Sequence, residues 1–176
     1  MLDETGLSGA QVEMIREITP EPLTAAAFAP FGRVIEASDD AVRLEINQGH
    51  AVRYDRLADI DVADGGGSGA ISLFRARPLA EPVLRQFERH PLGSQSFVPL
   101  GGRPYLVAVA PAGAFDAAKV RVFRAGGHQG VHYAKGVWHH FLLVLDAGSD
   151  FLVVDRTGPG DNCDEVELAE PIRVCF

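Results

Sequence analysis

The segment from Pro104 to Ala125 reads PYLVAVAPAGAFDAAKVRVFRA and contains two apolar runs on either side of a proline- and glycine-containing connection. The first run, Tyr105–Val109, is continuously apolar, which is typical of a strand covered on both faces. The second run, Val120–Arg124, alternates apolar and basic residues, as a half-buried strand does. Both runs therefore predict β-strands.

Short apolar runs between glycine and proline residues continue along most of the chain. The other candidate strands are Gly32–Glu36, Ile71–Ala76, Gln95–Pro99, Val137–Leu145, Phe151–Asp155 and Ile172–Cys175. Thr24 can cap one short helix that ends before Pro30, and a second short helix is predicted over Pro82–Arg89, where apolar residues recur at helical spacing. Strands recurring about every ten residues predict an antiparallel sandwich or barrel.

The length and composition are those of one globular domain. Hydrophobic residues make up 47% and charged residues 23% of the 176 residues, which excludes a disordered chain, a coiled coil and a collagen. No apolar run approaches the roughly 20 residues of a membrane span. Met1–Glu17 lacks the apolar block of a secretory signal, and we expect it to be a disordered tail.

The charge balance argues against nucleic acid or an acidic membrane surface as a partner. Sixteen basic and 24 acidic residues give a net charge of -8, and no basic patch offsets the repulsion from phosphates. Cys163 and Cys175 are too few for a disulfide scaffold, so reduced thiols in a cytoplasmic protein are predicted. The glycine-rich run Asp64–Gly69 has no helix or lysine after it, and we expect no nucleotide or organic cofactor.

Glu88-Arg89-His90-Pro91-Leu92-Gly93-Ser94-Gln95 is the first of two segments that could carry chemistry. Glu88 and His90 are two residues apart, so their side chains share one face of an extended strand. Gln95 follows the Pro91–Ser94 turn and can return to that face on the next strand. A carboxylate, an imidazole and an amide oxygen that converge in this way could bind a metal or transfer protons.

The second segment, Gly127–His140, contains four of the six histidines. His139 and His140 are adjacent, so on a strand they point to opposite faces and only one can face a barrel interior. His132 lies before a turn at Gly136 and could face inward as well. On this parity we expect His140 to pack against other residues or to lie in an interface.

The burial of three polar side chains would need an explanation if Glu88, His90 and His139 line a barrel. Removing three such groups from water is costly unless they are paired or used. We therefore interpret them as a functional cluster, and a structural polar network is the alternative.

The spacing E-x-H-x4-Q, followed by proline and glycine and later by G-x2-H, resembles the paired motifs of the cupin superfamily. In that superfamily the first motif is H-x-H-x3–4-E-x6-G and the second ends in P-x-G-x2-H. The resemblance places four residues at the metal-ligand positions: Glu88, His90, Gln95 and His139. Glu88 replaces the first histidine and Gln95 replaces the glutamate. The fold implied is all-β, a cupin-type double-stranded β-helix barrel with one or two short helices.

Longer strings resemble the ureidoglycolate lyase family, also called ureidoglycolate hydrolase, of allantoin degradation. The strings are Leu73–Ala76, Glu88–Gln95 with Phe97 and Pro99, Gly136–His140, and Phe151–Arg156 with Asn162. The likeness runs from about Ile18 to the C-terminus, which implies a single domain over residues 18–176. Two residues depart from the family pattern, because His132 stands where asparagine is expected and Phe141 stands where proline is usual.

The resemblance implies cleavage of ureidoglycolate to glyoxylate and urea in purine degradation and nitrogen use. A base must take the hydroxyl proton, and an acid must protonate the leaving urea nitrogen. Glu88 or His90 is the expected base, and His139 is the expected acid or a metal ligand. Arg75 is expected to hold the carboxylate with its planar fork, and an ion pair within its own sheet is the alternative. Further substrate-binding candidates are Gln95, Asn47, His132 and Tyr133, with Arg53-Tyr54 also near the pocket.

A divalent metal bound at the four ligand positions could replace part of this proton transfer, so metal-dependent and metal-free chemistry both stay open. Carboxylate, imidazole and carbonyl ligands suit nickel, manganese or zinc. The resemblance also implies a homodimer, which exposed edge strands could form. Two other functions stay open: a hydrolase that releases ammonia and carbon dioxide from the same substrate, and a non-catalytic cupin that senses a small acid. The acid–base set favours an enzyme, because a sensor needs only the arginine and a few donors.

Overall fold

The computed structural model describes residues 15–145 and 147–176 and consists mainly of β-strands. The strands are β1 (Arg16–Ile18), β2 (Glu21–Pro22), β3 (Gly32–Ile35), β4 (Arg43–Ile46), β5 (Ala51–Tyr54), β6 (Ser68–Ala76), β7 (Val83–Arg89), β8 (Gln95–Pro99), β9 (Tyr105–Ala110), β10 (Arg121–Ala125), β11 (Gly130–Tyr133), β12 (Trp138–His139), β13 (Leu143–Val144), β14 (Ser149–Thr157) and β15 (Asp164–Val174). A single-turn helix, α1 (Ala25–Phe28), and 3-10 turns at Asn47–Gly49, Asp64–Gly66 and Ala117–Lys119 complete the described elements. The predicted all-β class is confirmed.

The strands form two large sheets and one separate hairpin. The first sheet has the order β1-β15-β7-β12-β9-β10-β2, with β13 also paired to β9, and the second has the order β3-β11-β8-β14-β6. The strands β4 and β5 pair with each other as a two-stranded sheet. Because β7 and β8 are consecutive in sequence but belong to different sheets, the connection between them crosses from one sheet to the other.

The main core lies between the two large sheets. Tyr105, Val107 and Val109 of β9 pack there against Phe97 of β8 and Phe151 of β14. The alternate residues of β9 join a second apolar cluster: Leu106, Ala108 and Ala110, together with Phe87 and Trp138. The prediction of a strand covered on both faces is thus confirmed.

The predicted helix over Pro82–Arg89 is wrong, because Val83–Arg89 forms β7. This strand pairs with β15 on one side and with β12 on the other. Backbone hydrogen bonds to both neighbouring strands therefore outweigh the helical spacing of the apolar residues, because intrinsic helix propensity is weak compared with tertiary interactions. The predicted strand over Val137–Leu145 is interrupted, because the chain leaves the ladder between β12 and β13. The predicted helix after Thr24 is confirmed, with the Thr24 hydroxyl accepting a hydrogen bond from the Ala27 amide.

The expected N-terminal tail lies largely outside the described residues. Within them, β1 pairs in parallel with β15, and Arg16 and Glu17 lie opposite Ile172 and Arg173. The chain therefore enters the first sheet just before the boundary at residue 18. No helix within residues 15–145 and 147–176 is long and apolar enough to cross a membrane.

Replacing Gly32 with alanine should destabilise the fold. The φ of Gly32 is +148°, and a Cβ at this position would overlap the carbonyl oxygen of His132 on the paired strand β11. We expect Gly32→Ala to lower the free energy of unfolding by at least about 2 kcal/mol in urea titrations, because backbone strain and overlap add. The control is Gly101→Ala, where a Cβ meets no atom within 4 Å; a loss of equal size there would contradict the explanation.

Candidate active site

The two polar segments meet in a cluster between the large sheets. Glu88 on β7 lies directly opposite His139 on β12 in antiparallel register. His90 follows the end of β7, and its ring centroid lies 5.1 Å from that of His139. One potential ligand atom from each of the three residues lies within 4.8 Å of the others. The structure thus brings together Glu88, His90 and His139.

The turn before β12 joins the two segments. Gly136 has a φ of +78°, a left-handed conformation that glycine adopts without a Cβ penalty. Its amide donates a hydrogen bond of 2.9 Å to the carbonyl oxygen of His90. This bond ties the start of the second segment to the end of the first, and His139 follows three residues later.

Three buried side-chain atoms in and beside the cluster have no hydrogen-bond partner among the described residues. His139 is only 1% exposed and stacks on Tyr133, with ring centroids 4.4 Å apart and an interplanar angle of 8°. The Nε2 atoms of His90 and His139 and the Oε1 atom of Gln95 are buried and unpartnered within the described part of the chain. Since buried polar atoms are normally paired, three unpaired acceptors at predicted ligand positions fit a bound metal or substrate.

Burial controls the charges of the cluster. Desolvation, assisted by the neighbouring His90, lowers the pKa of His139 to about 3, so this imidazole is neutral near pH 7. Desolvation also raises the pKa of Glu88, although His90 opposes the shift. The contact of 3.7 Å between His139 Nδ1 and Glu88 Oε1 is therefore not an ion pair near pH 7. A neutral imidazole beside a carboxylate is suited to binding a cation or accepting a proton.

Two cavities border the cluster. One of about 310 Å³ reaches Glu88 and is lined by Phe74, Arg75, Ala76, Arg77, Phe97, Phe141 and Leu142. The other, of about 290 Å³, reaches His90 and Gln95 and is lined by Ser94, Asp155, Arg156, Asn162 and Cys163. The Cys163 sulfur lies 4.0 Å from Glu88 Oε2, so the two cavities approach each other at Glu88. The apolar lining was not predicted, although Phe97 is two residues from Gln95 and shares its face of β8.

Two of the expected substrate-binding residues lie beside the cluster. Tyr133 stacks on His139, and Gln95 lies opposite Tyr133 in the pairing of β8 with β11. Gln95 therefore approaches from the second sheet and not from a hairpin with Glu88 and His90. The expectation that one hairpin supplies all three is corrected, because the Pro91–Ser94 connection crosses between sheets.

His132 does not face the cluster. It neighbours Tyr133 on β11, so its side chain points to the other face of the sheet. There the Nδ1 atom of His132 lies 2.8 Å from the hydroxyl oxygen of Ser96. The expectation that His132 faces inward is wrong, because adjacent residues of a strand point to opposite faces and Tyr133 points toward His139. His140 packs edge-on against Phe87, on the side of the strand opposite the cluster, as the parity argument predicted.

Arg75 and Asn47 lie away from the three-residue cluster. Arg75 donates two hydrogen bonds, of 2.8 and 2.9 Å, to the Asp150 carboxylate on the adjacent strand. Arg75 is one of the residues that line the first cavity, and its side chain is 78% exposed. Asn47 is exposed at the turn of the β4–β5 hairpin, with a φ of +52°, and borders neither cavity. Arg53, farther along that hairpin, forms an ion pair with Asp55.

Two sheets that enclose a carboxylate–histidine cluster define an all-β protein with a candidate active site between its sheets. The family model described as ureidoglycolate lyase matches residues 15–175. The chain belongs to the ureidoglycolate lyase family.

Two related proteins agree with this assignment. A ureidoglycolate lyase of Burkholderia mallei (strain NCTC 10229) is 54% identical over 159 residues, covering 90% of this chain and 93% of the relative. One from Pseudomonas syringae pv. tomato is 50% identical over 162 residues, covering 91% and 95%. Among solved structures, the Mn(II)-containing oxalate decarboxylase of Bacillus subtilis is 13% identical with a TM-score of 0.41, covering 62% of this chain and 27% of that chain.

The buried His132 should make the protein less stable as the pH falls. Burial lowers the pKa of His132 from 6.5, and nearby Asp59 and Asp61 oppose this shift. Below pH 6.5 the unfolded chain therefore binds more protons at this site than the folded chain, so protonation favours unfolding. We expect His132→Asn to reduce the fall in unfolding free energy below pH 6.5 by at most about 1.4 kcal/mol per pH unit.

Urea titrations at pH values from 7.5 to 5, spaced by roughly half a pH unit, measure this effect. His128→Asn is the matched control, because the His128 side chain is 78% exposed. Parallel curves for wild type and His132→Asn would rule out the assigned burial cost.

Proposed function

We propose that this protein cleaves ureidoglycolate to glyoxylate and urea. The observation that carries the proposal is the partly buried Glu88–His90–His139 cluster, in a chain 54% identical to a ureidoglycolate lyase. The substrate has a hydroxyl group and a ureido nitrogen on one carbon, next to a carboxylate. The hydroxyl loses its proton, the carbonyl of glyoxylate forms, the carbon–nitrogen bond breaks, and the urea nitrogen gains a proton.

The proton transfers are assigned to His90 and Glu88. His90 is the base, since its Nε2 atom is buried and has no partner among the described residues. Glu88 is the acid that protonates the urea nitrogen, because burial raises its pKa and makes its protonated form easier to reach than in water. His139 is proposed as a hydrogen-bond acceptor or a metal ligand rather than an acid, because its pKa of about 3 leaves the imidazolium form unpopulated near pH 7.

A divalent metal is the alternative use of the same side chains. Glu88, His90 and His139 have potential ligand atoms within 4.8 Å of one another. The buried Oε1 atom of Gln95 also has no hydrogen-bond partner among the described residues. When bound, nickel, manganese or zinc would supply a Lewis acid that lowers the pKa of the substrate hydroxyl. In that case Glu88, His90 and His139 would act as metal ligands and would orient the substrate through the metal. Solvent or other groups in the cavities would then transfer the protons.

We assign the substrate carboxylate to Arg75. Arg75 is one of the residues that line the cavity reaching Glu88, and a planar fork binds a carboxylate in two places. The bidentate contact with Asp150 demonstrates that geometry with a carboxylate of the protein itself. An exposed ion pair of this kind contributes little stability, so a substrate carboxylate can compete for Arg75.

A homodimer and a cytoplasmic location complete the proposal. Ile71 and Leu73 are 74% and 71% exposed on β6, which ends its sheet within the described residues. An apolar face on an edge strand is normally covered, and a second copy of the chain supplies a matching surface. Cys163 and Cys175 are both free thiols, which agrees with a reducing compartment.

The products decide between the lyase and its alternatives. Purified protein incubated with ureidoglycolate should yield equal amounts of urea and glyoxylate without ammonia. We expect Glu88→Gln to lower kcat about 10²–10⁴-fold, because the amide cannot donate or accept the transferred proton. Glu165→Gln is the matched control, since Glu165 lies opposite Glu88 on β15 and is exposed.

Three other results would redirect the assignment. Ammonia in place of urea would indicate the hydrolase, and no turnover even with added nickel, manganese or zinc would indicate a sensor. Equal losses in Glu88→Gln and Glu165→Gln would contradict the assigned role of Glu88. Repeating the assay after chelation separates the two uses of the cluster, because only a metal-dependent protein loses its rate and regains it on metal addition.

Arg75→Ala should raise KM for ureidoglycolate at least about tenfold with a smaller change in kcat, because a charged carboxylate loses its partner. Asp150→Asn removes the competing carboxylate and should leave KM unchanged or lower. Steady-state kinetics of both variants measure the effect. Arg75 serves only in the surface ion pair if both substitutions leave KM unchanged.

A further inference from the structure

Asn162 contacts the first polar segment at two points. It lies in the connection between β14 and β15, and its partners are 72 and 70 residues away along the chain. Its backbone carbonyl oxygen lies 2.6 Å from Nδ1 of His90. Its side-chain Oδ1 atom accepts a hydrogen bond of 2.7 Å from the amide of Leu92. Asn162 therefore contacts the residues on both sides of Pro91, His90 and Leu92.

The first contact determines which nitrogen of His90 carries a hydrogen. A carbonyl oxygen can only accept, so a hydrogen bond at 2.6 Å requires the hydrogen to be on Nδ1. In the neutral ring the lone pair is then on Nε2. That atom is buried and unpartnered among the residues described, and the ring faces His139 at 5.1 Å. Only this tautomer presents an acceptor to the cluster.

The second contact holds the carbonyl in place. Without the bond from Oδ1 to the Leu92 amide, the connection that carries the carbonyl would be free to move relative to His90. The rest of this connection is braced by Arg156, which donates to the carbonyl oxygens of Pro159 and Asp64. On the opposite side, the Gly136 amide donates to the carbonyl oxygen of His90. His90 is thus held by two separate elements, its ring by Asn162 and its backbone carbonyl by the turn at Gly136.

We propose that Asn162 is a positioning residue that holds His90 in the Nδ1–H tautomer and directs its Nε2 atom into the cluster. The proposal rests on the assigned use of His90 in the reaction, as base or as metal ligand. Both uses need a lone pair on Nε2, and partners of this kind fix the orientation and tautomer of functional imidazoles. Asn162 itself does not touch the substrate.

The test compares three variants of the full chain. Asn162→Ala removes the contact with Leu92, Asn162→Asp keeps an oxygen that can accept it, and Asp161→Ala changes the exposed neighbour. Long-range ¹H–¹⁵N NMR of the histidine rings, recorded without substrate or metal, reports the tautomer of His90. Steady-state kinetics with ureidoglycolate report kcat and KM separately.

The wild type, Asn162→Asp and Asp161→Ala should show His90 protonated on Nδ1, and Asn162→Ala should show a mixture with the Nε2–H form. We expect kcat of Asn162→Ala to fall about 10–100-fold, with KM within about threefold of the wild type because the substrate contacts remain. Asn162→Asp should restore most of kcat. Asn162→Ser repeats the comparison with a smaller change if the alanine variant does not fold.

An Nε2–H tautomer in the wild type would overturn the proposal, as would an unchanged tautomer in both truncated variants. A fall of kcat in Asp161→Ala equal to that in Asn162→Ala would also overturn it. Because the tautomer is measured without substrate, an inactive wild type with His90 in the Nδ1–H form would refute the lyase assignment and leave the positioning geometry intact.

Discussion

The antiparallel pairing of β7 with β12 is the constraint on which the site depends, because it sets Glu88 directly opposite His139. Side chains opposite each other on paired strands lie on the same face of the sheet. A slip of one residue in this register would move His139 to the face where His140 packs against Phe87. The apolar packing on both faces of the sheet therefore also maintains the geometry of the polar cluster.

Burial of that cluster produces its chemical properties. The same desolvation lowers the pKa of His139 to about 3 and raises the pKa of Glu88, because burial disfavours the charged form of each group. Unpaired acceptors in such an interior cost free energy in the absence of a partner. A substrate or a metal that satisfies them recovers this cost on binding, which links the instability of the unliganded site to its affinity for a ligand.

Strand parity was the reliable part of the sequence interpretation. It correctly separated His139 from His140 and grouped Glu88 with His90, because the alternation of side chains is a local property of an extended backbone. It did not predict which face of β11 is the inner one, and His132 was wrongly turned inward. The helix predicted over Pro82–Arg89 failed for a related reason: a short apolar run fits either period until its hydrogen-bonded neighbours are known.

The sequence by itself determined the all-β class, the placement of Glu88 and His90 on one face of the chain and the resemblance to the ureidoglycolate lyase family. Only the tertiary structure decided that Gln95 enters from the opposite sheet, that Arg75 binds Asp150 and that Asn162 holds His90. These contacts join residues far apart in sequence or depend on how the two sheets are stacked. Local spacing carries no information about such contacts, because burial and long-range pairing arise only when the whole chain has folded.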